Sequence, residues 1–145
     1  MSTKPRAQAE ARPGPLRRLV RDAERFLAAR QLAEAEKAAV CALAMEPDDA
    51  PALTCFARVQ AQRGRYADAI DTFERALSRQ PDDTALLDDL AQAQGSAGRL
   101  DAAIATLRRR VALRPDADGW FELGLMLDRN ADCAEALDAA RRAAA

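Results

Sequence analysis

The sequence of 145 residues contains no histidine and few aromatic residues, with one tryptophan, one tyrosine and four phenylalanines. The absence of histidine excludes histidine-based catalytic triads, histidine general bases and histidine metal ligands. The segment Gly95-Ser96-Ala97-Gly98 looks like a glycine-rich loop, but it lacks the lysine and the preceding strand of a phosphate-binding loop. We therefore expect the chain itself to be non-catalytic.

Cysteine is also scarce. Cys41, Cys55 and Cys133 lie far apart and form no CxxC pair, so a zinc site is not expected, and we predict no metal and no cofactor. An odd cysteine count without an apolar signal segment indicates a reducing compartment, for which we predict the cytoplasm. Cys41 and Cys55 fall on adjacent predicted helices where they could approach each other, but free buried thiols are the favoured interpretation.

Long apolar segments are missing as well. The run from Ala38 to Met45 is too short to span a bilayer, and no other stretch comes closer. We therefore expect no membrane partner.

The charges are distributed unevenly along the chain. The first thirty residues carry eight basic and three acidic groups, whereas the remainder carries fourteen basic and twenty acidic groups. A basic end could meet nucleic acid, an acidic membrane surface or an acidic partner. We favour a solvated face on the first helix and expect no nucleic-acid partner, because Phe26, on the buried side, is the only aromatic residue of that end that could stack on bases.

What the sequence does contain is a repeat. Pro47, Pro81 and Pro115 follow one another at equal intervals of 34 residues, and a fixed period in this range indicates a repeat array. The predicted units are about 16–49, 50–83, 84–117 and a partial fourth, 118–145, preceded by a disordered tail over 1–15. The fourth unit begins one residue earlier than the 34-residue period predicts, which indicates a single deletion after Pro115.

Each unit holds two stretches of about fourteen residues with apolar positions spaced by three and four, as in amphipathic helices. Gly64 and Gly98 separate the two stretches in the middle units, and a left-handed glycine often ends a helix. We expect Asn130 to take this role in the last unit. Acidic residues that open successive units are predicted as helix N-caps: Asp49, Asp83 and Asp116.

Two columns of small residues run through the units and predict close contacts between helices. They are Ala23, Ala57, Ala91 and Gly124, and Ala35, Ala69, Ala103 and Ala136.

Two segments resemble the halves of a known pattern, W-x2-L-G-x2-Y and then A-x3-F followed by P. They are Trp120-x2-Leu123-Gly124-x2-Leu127 and Ala69-x3-Phe73 with Pro81. From Leu16 to its C-terminus the chain thus resembles the tetratricopeptide repeat family. The resemblance implies an all-α fold, a right-handed α-solenoid of stacked antiparallel helix pairs with three full repeats and a partial fourth.

The resemblance further implies that the first helix of each pair lines a concave groove that holds a peptide or a partner helix. The corresponding positions are Arg17, Val20, Glu24, Thr54, Arg58, Gln62, Asp88, Gln92, Ser96, Phe121, Leu125 and Asp128.

Some family members clamp the C-terminal carboxylate of heat-shock chaperones with Lys, Asn and Arg at these positions. Here the matching places hold Val20, Glu24, Thr54 and Asp88, so the clamp is not predicted. A mixed groove remains, with Arg58 as the only cation near its middle and an apolar patch at Phe121 and Leu125. It is suited to a partly apolar or basic peptide. We predict a non-catalytic interaction module, either an adaptor or a small chaperone. The alternative is the N-terminal repeat region of a larger enzyme, a transferase or hydroxylase, whose catalytic part lies outside this chain.

Two local features leave further expectations. Asp88-Asp89 lies inside a predicted helix, either as a site for a cation or basic ligand or as a solvated face. The last helix, about 132–144, is expected to turn one stripe toward its partner helix, while the helix before it exposes an apolar edge. We expect self-association through this last repeat, or fraying there. The stripe is Ala134, Leu137, Ala140 and Ala144, and the edge is part of Leu123, Met126 or Leu127.

Overall fold

Eight α-helices follow one another through residues 13–145, the part of the chain that this computed structural model describes. No strand occurs within that range. The predicted tail lies largely outside it, and Pro15 is already the first residue of a helix. The helices are α1 Pro15–Ala28, α2 Leu32–Met45, α3 Ala50–Gln62, α4 Tyr66–Arg79, α5 Thr84–Ser96, α6 Leu100–Leu113, α7 Ala117–Arg129 and α8 Cys133–Ala144.

The helices pack as consecutive pairs, and the second helix of each pair also packs against the first helix of the next. Short turns join the helices, so neighbours run in opposite directions. Buried side chains form three clusters along the stack instead of one central core. This arrangement confirms the predicted all-α solenoid of three helix pairs and a fourth.

One residue in every pair adopts a left-handed conformation between the two helices. Gly64 and Gly98 have φ of 77° and 78°, as predicted, and Arg30 and Ala131 have φ of 58° and 62° in the outer pairs. The prediction of Asn130 is wrong, because its φ is −85°. The turn requires a positive φ at a fixed place in the repeat, whatever residue occupies it. The single deletion after Pro115 puts Ala131 at that place.

The predicted acidic N-caps are confirmed. Asp49 accepts a hydrogen bond from the backbone N–H of Ala52 at 3.1 Å, and Asp83 accepts one from Ala85 at 3.0 Å. Asp116 accepts one from Gly119 at 2.9 Å. Each carboxylate therefore satisfies donors that the first turn of α3, α5 or α7 leaves without partners.

The middle pairs contain a recurring side-chain hydrogen bond. Thr72 Oγ1 donates to Gln60 Oε1 at 2.8 Å, and Thr106 Oγ1 donates to Gln94 Oε1 at 2.7 Å. Both glutamines occupy the column where the family pattern has tyrosine. The bond satisfies polar groups between the two helices of a pair, which would otherwise be costly to bury.

A buried arginine replaces a small residue at the last inter-pair contact. Arg110 occupies the column that Ala42 and Ala76 fill in the earlier repeats, and only 4% of its surface is exposed. Its Nε donates to Asp88 Oδ1 at 2.9 Å, and its Nη1 donates to Asp116 Oδ1 at 2.6 Å and to the Arg114 carbonyl at 2.7 Å. The side chain thus ties α5 to the turn that the deletion shortens.

The electrostatics of this cluster agree with its geometry. Burial opposes the charge of Arg110, but hydrogen bonds with Asp116 and Asp88 outweigh that cost, and the pKa of Arg110 rises. The hydrogen bond from Arg110, with another from the Gly119 N–H, lowers the pKa of Asp116. Gly119 leaves room for the guanidinium, since a Cβ there would lie 2.6 Å from Arg110 Nη1.

The last pair corrects two expectations about exposed faces. Leu123, Met126 and Leu127 are buried instead of exposed, because this face of α7 packs in the cluster that α6 contributes to. In α8 the buried residue is Ala139, with Ala136 and Ala143 half-buried. The stripe of Ala134, Leu137, Ala140 and Ala144 points to solvent. Apolar spacing alone did not distinguish the two sides of this alanine-rich helix.

The columns of small residues predict that a larger side chain at one of these positions destabilises the fold. Ala103 in α6 is fully buried, whereas Ala105, two residues later, is exposed. We expect Ala103→Leu to destabilise the fold by about 1–3 kcal/mol through overpacking. Ala105→Leu is the matched control and should stay within about ±0.5 kcal/mol. Urea unfolding of both variants measures the difference, and equal losses would contradict the column assignment.

The arginine cluster predicts non-additive effects in a double-mutant cycle. Gly119→Ala should destabilise the wild type, because the new methyl displaces the Arg110 guanidinium from its carboxylates. Arg110→Ala should cost about 1–3 kcal/mol, since Asp88 and Asp116 lose their shared donor. In the Arg110→Ala background, Gly119→Ala should cost clearly less than in the wild type, because the close contact with the guanidinium is gone and the contact with Val111 Cγ1, at 3.0 Å, remains. Additive effects in thermal and urea unfolding would contradict the close contact.

Candidate peptide groove

The groove residues predicted from the sequence lie on the first helices of the four pairs, α1, α3, α5 and α7. The structure does not join them into one site. It separates them into a central group, an acidic group beside it, and two end groups.

The central group surrounds an open cavity of about 300 Å³ between the α3/α4 and α5 helices. Four predicted residues meet here, and the cavity floor includes the buried ring of Phe73. The predicted members are Arg58, Gln62, Gln92 and Ser96, and Tyr66 and Asp89 complete the rim.

An ion pair crosses the central cavity. Arg58 Nη2 lies 2.7 Å from Asp89 Oδ2, and Arg58 Nε donates to the same oxygen at 2.8 Å. Burial raises the pKa of Asp89, and the charge and hydrogen bond of Arg58 offset that effect only in part. The charge of Arg58, the one cation predicted for the middle of the groove, is therefore already neutralised.

Both members of the Asp88-Asp89 pair have arginine partners on other helices, Arg110 and Arg58 respectively. Neither aspartate is simply a solvated surface group, because each is half-buried. Asp89 was not among the predicted groove residues. The signal that could have found it is the Asp88-Asp89 dipeptide itself: neighbouring helical residues point about 100° apart, so one aspartate can face Arg110 of α6 while the other faces Arg58 of α3.

The acidic group lies between α5 and α7, beside a cavity of about 260 Å³. Asp88 and Gln92 line it from α5, and Asp118 and Glu122 line it from α7. Arg110 neutralises Asp88, but among residues 13–145 Asp118 and Glu122 have no ion-pair partner. These two acids were missed by the sequence prediction. Glu122 occupies the same column as Asp89, one repeat later.

The N-terminal end offers fewer open groups. Arg17 Nη2 lies 3.5 Å from the Asp49 carboxylate, and the Thr54 hydroxyl donates to the Ala50 carbonyl of its own helix at 2.8 Å. Glu24 is exposed. Val20 does not face the groove, because it is buried in the cluster formed by α1, α2 and α3.

The C-terminal end carries the apolar residues. Phe121, Leu125 and Asp128 line an open cavity of about 370 Å³. Its opposite wall is α8, through Cys133, Ala136, Leu137 and Ala140. The predicted apolar patch therefore belongs to the open end of the stack, away from Arg58 and the central cavity.

The cysteines are free thiols, as predicted, but only Cys55 is buried, whereas Cys41 and Cys133 are exposed. Burial, together with the nearby charge of Glu24, raises the pKa of Cys55 to about 11. A thiol with such a pKa remains protonated near neutral pH and is a poor nucleophile.

No helix between residues 13 and 145 is long and apolar enough to cross a membrane. In the same range, no group of three or more Cys, Asp or Glu residues is arranged to hold a metal ion.

Solved structures of low sequence identity share this fold. A crystal structure of MamA aligns with a TM-score of 0.82 at 17% identity, covering 92% of this chain and 78% of that one. A MamA fragment from Desulfovibrio magneticus RS-1 aligns with a TM-score of 0.82 at 19% identity, covering 88% and 73%. A tetratricopeptide repeat protein from Parabacteroides merdae ATCC 43184 has a TM-score of 0.78 at 18% identity, covering 90% and 52%.

The amino-acid sequence matches the model of one protein family. No curated protein matches this chain in sequence. The family model described as tetratricopeptide repeat matches residues 22–86 and again, in overlapping register, residues 60–124. These matches, the repeated helix pairs and the columns of small residues together show that the chain belongs to the tetratricopeptide repeat family.

Proposed function

We propose that this chain is a non-catalytic adaptor or small chaperone that holds a basic, partly apolar peptide in the groove between α3, α5 and α7. The fold supports a protein-interaction module, because stacked pairs create an extended concave surface. We also propose a cytoplasmic location, which the three free thiols support.

The charge balance of the groove carries the proposal. Its central cation, Arg58, is held by Asp89, while Asp118 and Glu122 have no cationic partner within residues 13–145. An acidic ligand would meet these carboxylates without a countercharge. A basic side chain would instead find carboxylates that no arginine neutralises.

Asp89 adds a second reason for a basic ligand. Its carboxylate is half-buried, and Arg58 compensates its burial only in part. A second cation entering the central cavity would supply the remaining compensation. The buried Phe73 ring and Ala93 in the same cavity provide apolar contact for the stem of an arginine or lysine.

The binding test uses a fluorescent peptide of alternating arginine and leucine, with a glutamate–leucine peptide of equal length as its counterpart. We expect anisotropy to report binding of the basic peptide and none of the acidic one. An acidic heat-shock tail peptide should also fail to bind. Arg58→Glu should strengthen binding of the basic peptide, because it removes the central cation of the groove and leaves Asp89 free to pair with the ligand.

Neutralising the two unpaired acids of the groove should reduce peptide affinity more than neutralising acids outside the groove. We expect Asp118→Asn combined with Glu122→Gln to reduce affinity about tenfold, or about 1.4 kcal/mol. Asp71→Asn combined with Glu74→Gln is the control, since both are exposed acids on α4, outside the groove. An equal loss in the control would show that only the net charge matters. Tight binding of the acidic tail peptide, unchanged by Arg58→Glu, would refute the proposed groove.

A further inference from the structure

The C-terminal end of the stack exposes apolar side chains on α7 and α8, and one of them stands at a position that is buried in the middle repeats. Phe121, Leu125 and Leu137 are 57%, 44% and 54% exposed. Leu137 occupies the column of Ile70 and Ile104, which are 2% and 5% exposed because the following helix pair covers them. The face of Phe121, Leu125, Leu137 and Ala140, here called the C-terminal face, is thus left open by the other helices of residues 13–145.

The N-terminal end of the stack is built differently. At three columns that are largely buried in the later repeats, α1 carries charged residues: Arg18, Asp22 and Arg25. Arg25 also pairs with Asp22 at 3.1 Å in an exposed position. Stacking this end on the C-terminal face of another copy would bury these charges against Leu137 and Phe121, which is costly. Head-to-tail assembly is therefore disfavoured.

The charge pattern of α8 fits a different arrangement. Glu135 pairs with Arg108 and Asp138 pairs with Arg142 within one copy, whereas Asp132 at the start of the helix and Arg141 near its end have no ion-pair partner among residues 13–145. Two such helices side by side in opposite directions place Asp132 of each copy near Arg141 of the other. Their dipoles also oppose each other favourably.

The exposed stripe of α8 supports this close pairing. Leu137 lies in the middle of this stripe, and small residues flank it on both sides. The backbones of two α8 helices can therefore approach each other closely. Arg141 borders the stripe and has no ion-pair partner among residues 13–145. The flanking residues are Cys133, Ala134, Ala140 and Ala144.

We propose that a second copy of this chain covers the C-terminal face in a two-fold dimer, with α8 antiparallel to its counterpart. A two-fold contact uses the same patch on both copies and closes after two. The patch is small compared with a stable interface of roughly 1,200–2,000 Å², so the dimer is weak. The central cavity stays open, and the dimer presents two grooves to a bivalent partner.

Sedimentation equilibrium from micromolar to near-millimolar protein tests the proposal. We expect the wild-type mass to rise toward twice the chain mass, and the association to weaken with salt. Leu137→Asp and Arg141→Glu should each raise the dissociation constant at least about tenfold, the first by removing the apolar centre and the second by reversing a charge. Val40→Asp is the control, because Val40 is an exposed apolar residue of α2.

A cross-link gives an independent measurement. With the three native cysteines changed to serine or alanine, Leu137→Cys should form disulfide-linked dimers on mild oxidation, while Val40→Cys should not. Circular dichroism checks that each variant keeps its helices. A wild type that remains monomeric throughout, or a Val40→Asp effect as large as that of Leu137→Asp, would overturn the proposal. Loss of the dimer with intact peptide binding would leave the proposed groove unaffected.

Discussion

The constraint on which this structure depends is that no helix pair can bury its own apolar surface. Each first helix is covered by the second helix of its own pair and by the second helix of the pair before it. Close approach requires small residues, and Ala57, Ala69 and Ala103 are fully buried at these contacts. Stability therefore accumulates from successive interfaces instead of from one core. The same constraint makes the two ends of the stack special, because within residues 13–145 no helix pair precedes α1 and none follows α8.

Arg110 shows how one interface can depart from the small-residue rule. A guanidinium replaces alanine, a glycine on α7 makes room for it, and two carboxylates and a carbonyl receive its hydrogen bonds. Burying this charge is tolerable only because its partners are in place. The cluster coincides with the shortened turn after Pro115. At this turn a network of side-chain hydrogen bonds thus joins neighbouring helix pairs, whereas alanine packing joins them in the earlier repeats.

Internal ion pairs also decide which charges the surface can offer. Arg17, Arg58 and Asp88 were all groove candidates, yet each faces an opposite charge contributed by another part of the chain. The two unpaired acids Asp118 and Glu122 lie between α5 and α7, while the apolar candidates Phe121 and Leu125 lie at the end of the stack. The proposed peptide groove and the proposed dimer face are consequently separate surfaces with different chemistry.

The sequence by itself determined the features that recur with the period. These features are the number of helices, the N-caps, the left-handed turns at Gly64 and Gly98, and the columns of small residues. They depend on local backbone preferences, and the residues responsible recur in each repeat. Tertiary structure alone decided what depends on single, non-repeating contacts. Arg58 meets Asp89 across 31 positions, Arg110 meets Asp88 across 22, and α8 turns Ala139 inward and Leu137 outward. Such contacts depend on how helices are placed relative to one another, and side-chain spacing within one helix carries no information about that placement.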